Sequence, residues 1–138
     1  MTENKLDAER RQMRRKHIFA VNGEAHFLDV LRILFQAEQF NVTTTNFVPQ
    51  TFDQIAALKP DLLIIDLALG QEAGWGLLEQ LHHEAVTRNI PVILASTTAA
   101  LLERAQTDVE RYGESRVLVK PMNIDALLNA VIELIGPA

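Results

Sequence analysis

The sequence has no cysteine, only one tryptophan and one tyrosine, and only six glycines. Without cysteine the chain can form no disulfide scaffold and no thiolate zinc site, and it has no cysteine nucleophile. Its first residues lack the apolar region of a signal peptide, and no later apolar run reaches the roughly 18 residues that span a membrane. We therefore expect a cytoplasmic protein with no membrane partner.

The composition is that of one globular domain. The chain has 138 residues, 48% of them hydrophobic and 22% charged, and its net charge is -5. A chain of about this length buries roughly two thirds of the surface that its unfolded form exposes, so its core needs no metal. The acidic balance argues against a nucleic-acid partner.

The charge is unevenly distributed along the chain. Residues 1–16 hold six basic and three acidic residues, whereas the remainder carries a net charge of -8. This segment has too few apolar residues for a core face, so we predict a basic N-terminal extension over 1–16 and a folded domain over 17–138. A solvated extension is favoured; a basic arm for nucleic acid and a helix that recruits a second protomer are the alternatives.

Short apolar runs alternate with segments of helical period from residue 17 onward. This alternation predicts an α/β fold with a parallel sheet covered on both faces, written (βα)5. The predicted strands are 18–21, 42–45, 62–65, 92–95 and 117–119. The helical stripes comprise Phe27, Val30, Leu31, Leu34 and Phe35, then Leu77, Leu78 and Leu81, and finally Ile124, Leu127, Leu128, Val131 and Ile135; the segments 51–58 and 98–112 are weaker.

Polar residues follow several of the predicted strands. Ligands of open parallel sheets bind at the carboxyl ends of the strands, so these positions are the informative ones. Asp66 follows the third strand, Ser96 the fourth and Lys120 the fifth. The pattern therefore predicts a carboxylate, a hydroxyl and an ammonium group at one edge of the sheet.

Three motifs together resemble the receiver domain of bacterial response regulators over about residues 17–135. They are the run 62–67 that contains Asp66, the run 91–96 that ends at Ser96, and the step from Val119 through Lys120 to Pro121. The resemblance implies a flavodoxin-like, CheY-like fold with sheet order 2-1-3-4-5. It also implies Asp66 as phospho-acceptor, Ser96 as the phosphate-sensing hydroxyl, Lys120 as its charge partner, and a cis peptide bond before Pro121.

The sequence departs from the receiver family at the positions that usually bind Mg²⁺. Receivers usually close the first strand with two adjacent acids, but this sequence has Asn22 and Gly23 there, and only Glu24 and Asp66 remain as acidic candidates. Because Mg²⁺ prefers carboxylate oxygens, we expect its binding to be weak or absent. A second departure is Val117, at the position where the family usually has an aromatic switch residue.

These features predict a stand-alone, atypical receiver protein of a two-component or phosphorelay pathway. It is not expected to be an enzyme, because no nucleophile, base and orienting group are recognisable. Expected partners are a sensor histidine kinase or phosphotransfer protein and a downstream target that binds the surface of residues 98–135. Formation of a homodimer is a further alternative. The alternative is a pseudo-receiver, an interaction module that works without Mg²⁺-dependent phosphorylation; a small flavodoxin-like enzyme is a third reading.

Overall fold

A computed structural model gives the fold of the chain. The structure describes residues 5, 15–22, 25–46, 50–66, 73–96, 115–119 and 124–137. Within them, five parallel strands form one sheet in the order β2-β1-β3-β4-β5. The strands are β1 His17–Val21, β2 Asn41–Thr45, β3 Leu62–Asp66, β4 Val92–Ser96 and β5 Ser115–Val119. The predicted fold class and strand order are confirmed, and each predicted strand is extended by one or two residues.

Four helices are described, and they connect or follow the strands. They are α1 Ala25–Ala37, α2 Thr51–Leu58, α3 Ala73–His83 and α4 Ile124–Ile135. The helix predicted over 98–112 lies outside the described residues. Three of the helices are followed by left-handed backbone: Gln39 after α1 has a φ of 74°, Lys59 after α2 has a φ of 49°, and Gly136 after α4 has a φ of 78°. Glycine adopts this conformation without strain, which explains why α4 stops where it does.

The core consists of two apolar layers, one on each face of the sheet. Alternate residues of β1 point to opposite faces, so Ile18 and Ala20 contribute to one layer and Phe19 and Val21 to the other. The first layer contains the buried residues of α1 and α4, and the second contains those of α2 and α3. Most residues of the predicted helical stripes are buried or partly buried, but Val30 and Ile124 are exposed.

Hydrogen bonds join Arg15 and Lys16 to the domain. The side chain of Asn41 donates to the carbonyl oxygen of Arg15 at 3.4 Å, and its backbone N–H donates to that of Lys16 at 3.0 Å. The ammonium group of Lys16 donates to the carbonyl oxygen of Ile135 at the end of α4. The last two residues of the predicted extension therefore contact both β2 and α4.

Among the helices that the structure describes, none is long and apolar enough to cross a membrane.

Candidate functional site

The carboxyl edge of the sheet holds the polar residues that the sequence singles out. Val21 of β1 pairs with Ile65 of β3, so Asn22 and Asp66, the next residues along each chain, lie side by side. Asp66 in turn pairs with Ala95, the residue before Ser96. The structure therefore brings Asn22, Asp66 and the backbone of Ser96 to one edge of the sheet.

Asp66 lies at the middle of this edge. It is the last residue of the central strand β3, and β1 and β4 flank it on either side. The four preceding residues, 62–65, are buried, whereas Asp66 itself is half-buried. A rigid apolar strand thus holds a carboxylate at the boundary with solvent, which is a suitable place for a group that must meet a partner.

Asn22 is the buried polar residue of the site. Its exposed fraction is 2%, and its backbone N–H donates to the carbonyl oxygen of Thr45 at 3.2 Å. This bond joins the residue after β1 to the end of β2. Because β1 also pairs with β3, the backbone next to Asn22 is held on both sides. Asn22 and Asp66 together provide one carboxylate and one neutral amide, which is a poor ligand set for Mg²⁺. Within the described ranges, no group of three or more His, Cys, Asp or Glu side chains could hold a metal ion.

Four predicted site residues lie outside the described residues: Gly23, Glu24, Lys120 and Pro121. The ammonium group at this edge and the cis peptide bond therefore stay predictions. β5 ends at Val119, which pairs with Ser96.

Val117 lies inside β5 and pairs with Leu94. It is valine by sequence, so this strand offers no aromatic ring at the position of the family's switch residue.

A second polar cluster lies at the opposite, amino edge of the sheet, around His17. The backbone N–H of His17 donates to Asp61 Oδ2 at 2.7 Å, and His17 Nε2 lies 2.7 Å from Thr43 Oγ1. Burial lowers the pKa of His17, and the nearby Asp61 carboxylate opposes this shift. Spacing along the chain could not reveal the contact, because Asp61 is 44 residues away and approaches only through β1–β3 pairing.

Comparisons with known proteins agree with this geometry. The sequence model of the response regulator receiver domain family matches residues 18–132. The chain is similar to the transcriptional regulatory protein KdpE of Staphylococcus aureus, with 30% identity over 104 residues, covering 74% of this chain and 41% of KdpE. It is also similar to the polar-differentiation response regulator DivK of Brucella anthropi, with 21% identity over 123 residues, covering 89% of this chain and 98% of DivK.

The fold is also that of a solved structure. The chemotaxis protein CheY4 of Vibrio cholerae superposes with a TM-score of 0.74 at 16% identity, over 87% of this chain and 98% of CheY4. The chain spans only about two fifths of the length of KdpE, so the likeness to KdpE concerns one domain of that protein. Because the family model covers most of the chain, this protein belongs to the response regulator receiver domain family, the signalling domains of two-component systems.

Proposed function

We propose that this chain is a receiver protein that accepts a phosphoryl group on Asp66, and that its reaction depends little on Mg²⁺. The position of Asp66 carries the proposal: a half-buried carboxylate ends the central strand, beside Asn22 and the end of β4. Members of this family receive phosphoryl groups from histidine kinases or phosphotransfer proteins, and a protein of either kind is the proposed donor.

The proposed step is an in-line transfer. An oxygen of the Asp66 carboxylate attacks the phosphorus atom of a phosphohistidine, and an acyl phosphate forms as the P–N bond breaks. The electron pair of that bond stays on the imidazole nitrogen, which the donor protein or water then protonates. Lys120 would neutralise charge on the phosphoryl group, and the hydroxyl of Ser96 would donate a hydrogen bond to one of its oxygens.

The charge of the site explains why Mg²⁺ would bind weakly. A site with three carboxylates and one lysine has a net charge of -2, which a divalent cation neutralises. Here Asp66 and Lys120 already sum to zero if the loop after Asn22 adds no acid. Two unit charges about 4 Å apart interact by about 4 kcal/mol at an effective dielectric of 20, before desolvation is subtracted. Each missing acid therefore removes a large part of the site's attraction for the cation. Only Glu24 could restore part of it.

A second candidate function is that of a pseudo-receiver, which binds its partner without being phosphorylated. The buried, neutral Asn22 favours it, because the amide occupies a place where a carboxylate would help bind a cation. Val117 also favours it, since valine has no ring to change position when Asp66 is modified. In either case the proposed output is contact with a downstream protein through the surface of residues 98–135.

Labelling with a radioactive small-molecule phosphodonor, acetyl phosphate, tests the proposal without a cognate kinase. We expect slow incorporation into the wild-type protein, nearly equal with Mg²⁺ and with EDTA, and none in Asp66→Asn. Labelling that requires Mg²⁺ would contradict the weak-metal proposal. Absence of labelling, with the protein folded and with a phosphohistidine donor also tried, would favour the pseudo-receiver.

We further propose that the chain acts in the cytoplasm, because its proposed phosphoryl donors are the kinases or phosphotransfer proteins of two-component systems.

A further inference from the structure

Helix α1 is apolar over more of its surface than the sheet covers. Its inner side, formed by Leu28, Leu31 and Phe35, is buried in the core layer that this helix shares with β1. On its outer side, Val30 is 40% exposed and Ile33 is 68% exposed. A surface helix of a monomer normally has polar residues on the side that faces away from the core. Exposed apolar residues are ordinary when scattered singly, so the arrangement of these two and their neighbours decides whether they form a surface.

The outer residues of α1 form a continuous stripe. Each residue turns the helix by about 100°, so His26, Val30, Ile33 and Ala37 lie within about 60° of one another, on the side opposite to the buried residues. All four are exposed. They are separated by four, three and four positions, which is the spacing of the contact residues in paired helices. We call this surface the α1 stripe.

The two flanks of the α1 stripe differ in polarity. One flank holds Asp29, Arg32 and Gln36, and Arg32 Nη2 lies 2.6 Å from Asp29 Oδ1. The side chains of Arg32 and Asp29 are 45% and 57% exposed, so both can reach a second molecule. The opposite flank holds Phe27 and Leu34, which are apolar and half-buried. A helix that packs on the stripe must therefore be polar on one flank and apolar on the other.

A second α1 in the antiparallel orientation meets this requirement. Two antiparallel helices related by a two-fold axis place like flanks against each other, so polar residues face polar residues and apolar residues face apolar ones. With the axis between positions 31 and 32, Val30 of one molecule lies opposite Ile33 of the other. The smaller Ala37 then lies opposite His26. In a parallel pair the polar flank of each helix would face the apolar flank of the other, which is unfavourable.

The same register makes the charges complementary. Asp29 of one molecule lies at the level of position 34 of the other, only two residues from Arg32 of that molecule. Two residues correspond to about 3 Å along a helix, which is within reach of an arginine side chain. The two-fold axis repeats this pair, so two ion pairs of opposite charge cross the interface. The α1 stripe is therefore complementary to a copy of itself in both polarity and charge.

The contact is small, which sets the strength of the association. α1 has 13 residues and is therefore about 20 Å long. A helix with its side chains is about 10 Å wide, so the pair buries far less than the roughly 800 Å² per molecule of a standard interface. We therefore expect a weak, reversible dimer with a Kd above about 1 µM.

We propose that two copies of this chain associate through the α1 stripe, with their α1 helices antiparallel. Val30 and Ile33 of each molecule pack against the same two residues of the other, and Asp29 of each pairs with Arg32 of the other. The association uses surface residues of α1 alone, so it does not depend on phosphorylation of Asp66. In the dimer, the outer side of α1 is covered and cannot bind another protein.

Sedimentation equilibrium from about 10 µM to about 1 mM measures the association. We expect the average mass of the wild-type protein to rise with concentration. Ile33→Glu should weaken the association at least about tenfold, because it places two charges in the apolar centre of the contact. Val86→Glu is the matched control: Val86 is 59% exposed, but it follows α3 on the other face of the sheet, and this variant should associate like the wild type. Urea unfolding verifies that both variants are folded.

Charge exchange tests the antiparallel register. Asp29→Arg gives a molecule with two arginines on the polar flank, and Arg32→Asp gives one with two aspartates, so each variant alone should associate less than the wild type. An equimolar mixture of the two should associate at least as strongly as the wild type, because every pair across the interface is then of opposite charge. Either variant combined with Ile33→Glu should lose this recovery.

Three results would overturn the proposal. A wild-type protein that stays monomeric up to about 1 mM would show that the α1 stripe does not bind a second copy at these concentrations. Equal effects of Ile33→Glu and Val86→Glu, or no effect of Ile33→Glu, would place the association on another surface. A mixture of the two charge variants that associates no better than either one alone would rule out the ion pairs between Asp29 and Arg32, and with them the antiparallel register.

Discussion

Replacing Asn22 by aspartate should make the stability of this domain depend on Mg²⁺. Asn22 is buried, and it lies beside Asp66 at the ends of two adjacent strands. Neighbouring strands are about 4.8 Å apart, so two carboxylates there would be roughly 5 Å apart. At an effective dielectric of 20, their repulsion is about 3 kcal/mol. Asn22→Asp should therefore lower the free energy of unfolding by about that amount in the absence of metal, which corresponds to a fall in Tm of roughly 10 °C.

Added Mg²⁺ should reverse this loss. Two carboxylates form a far better magnesium site than a carboxylate and an amide, and a ligand present at 100 times its Kd stabilises the folded state by about 2.7 kcal/mol. The measurement is thermal and urea unfolding of the variant and of the wild type, in EDTA and over a Mg²⁺ titration. We expect the variant's Tm to rise with Mg²⁺ and that of the wild type to stay nearly constant.

A double-mutant cycle separates repulsion from simple burial of charge. Asn22→Asp combined with Asp66→Asn keeps a single carboxylate at the edge, so most of the stability should return without metal, and the response to Mg²⁺ should disappear. If Asn22→Asp without metal is as stable as the wild type, the two side chains are not close enough to interact. If the wild type is itself strongly stabilised by Mg²⁺, the argument that Asn22 weakens the metal site is wrong.

Three further substitutions test other parts of the structure. Lys16→Met removes the ammonium group from the carbonyl oxygen of Ile135 and should lower the free energy of unfolding by about 0.5–1 kcal/mol in urea, whereas Lys16→Arg should retain most of it. His17 has a lowered pKa in the folded state, so it binds protons more readily when unfolded; stability should fall as the pH drops below about 6.5, and His17→Gln should flatten this part of the pH profile. Phe35→Ala opens a cavity at a fully buried position and should cost about 3–5 kcal/mol in urea unfolding, compared with less than about 0.5 kcal/mol for Val86→Ala at an exposed one.

The sheet could be predicted from the sequence because most of its strands are continuous apolar runs. Strands covered on both faces need apolar residues at every position, and the run 62–65 shows this directly. β2 was harder to bound, since it is an edge strand whose residues are all half-buried, and threonines replace the apolar run. Its first residue, Asn41, belongs to the strand through pairing with His17, which no local pattern reveals.

Helix faces were less predictable than strands. Val30 and Ile124 fit the periodicity of a buried stripe, but both are exposed. A helical period gives the angle of a residue around the helix, but it does not tell how far the neighbouring helix extends over that angle. The polar contact between His17 and Asp61 was missed for a related reason, because it arises from the pairing of strands that are distant in sequence.

The candidate site shows why fold and activity are separate questions in this family. The fold rests on many apolar residues in two layers, and Asn22 and Asp66 belong to neither of them. The chemistry rests on a few residues at that edge, and a change from acid to amide at position 22 hardly alters volume or packing. A chain can therefore keep the sheet, the order of strands and the acceptor carboxylate while the charge that binds a cation is lost. For that reason the response of Asn22→Asp to Mg²⁺ says more about how this protein signals than further structural likeness to other receivers can.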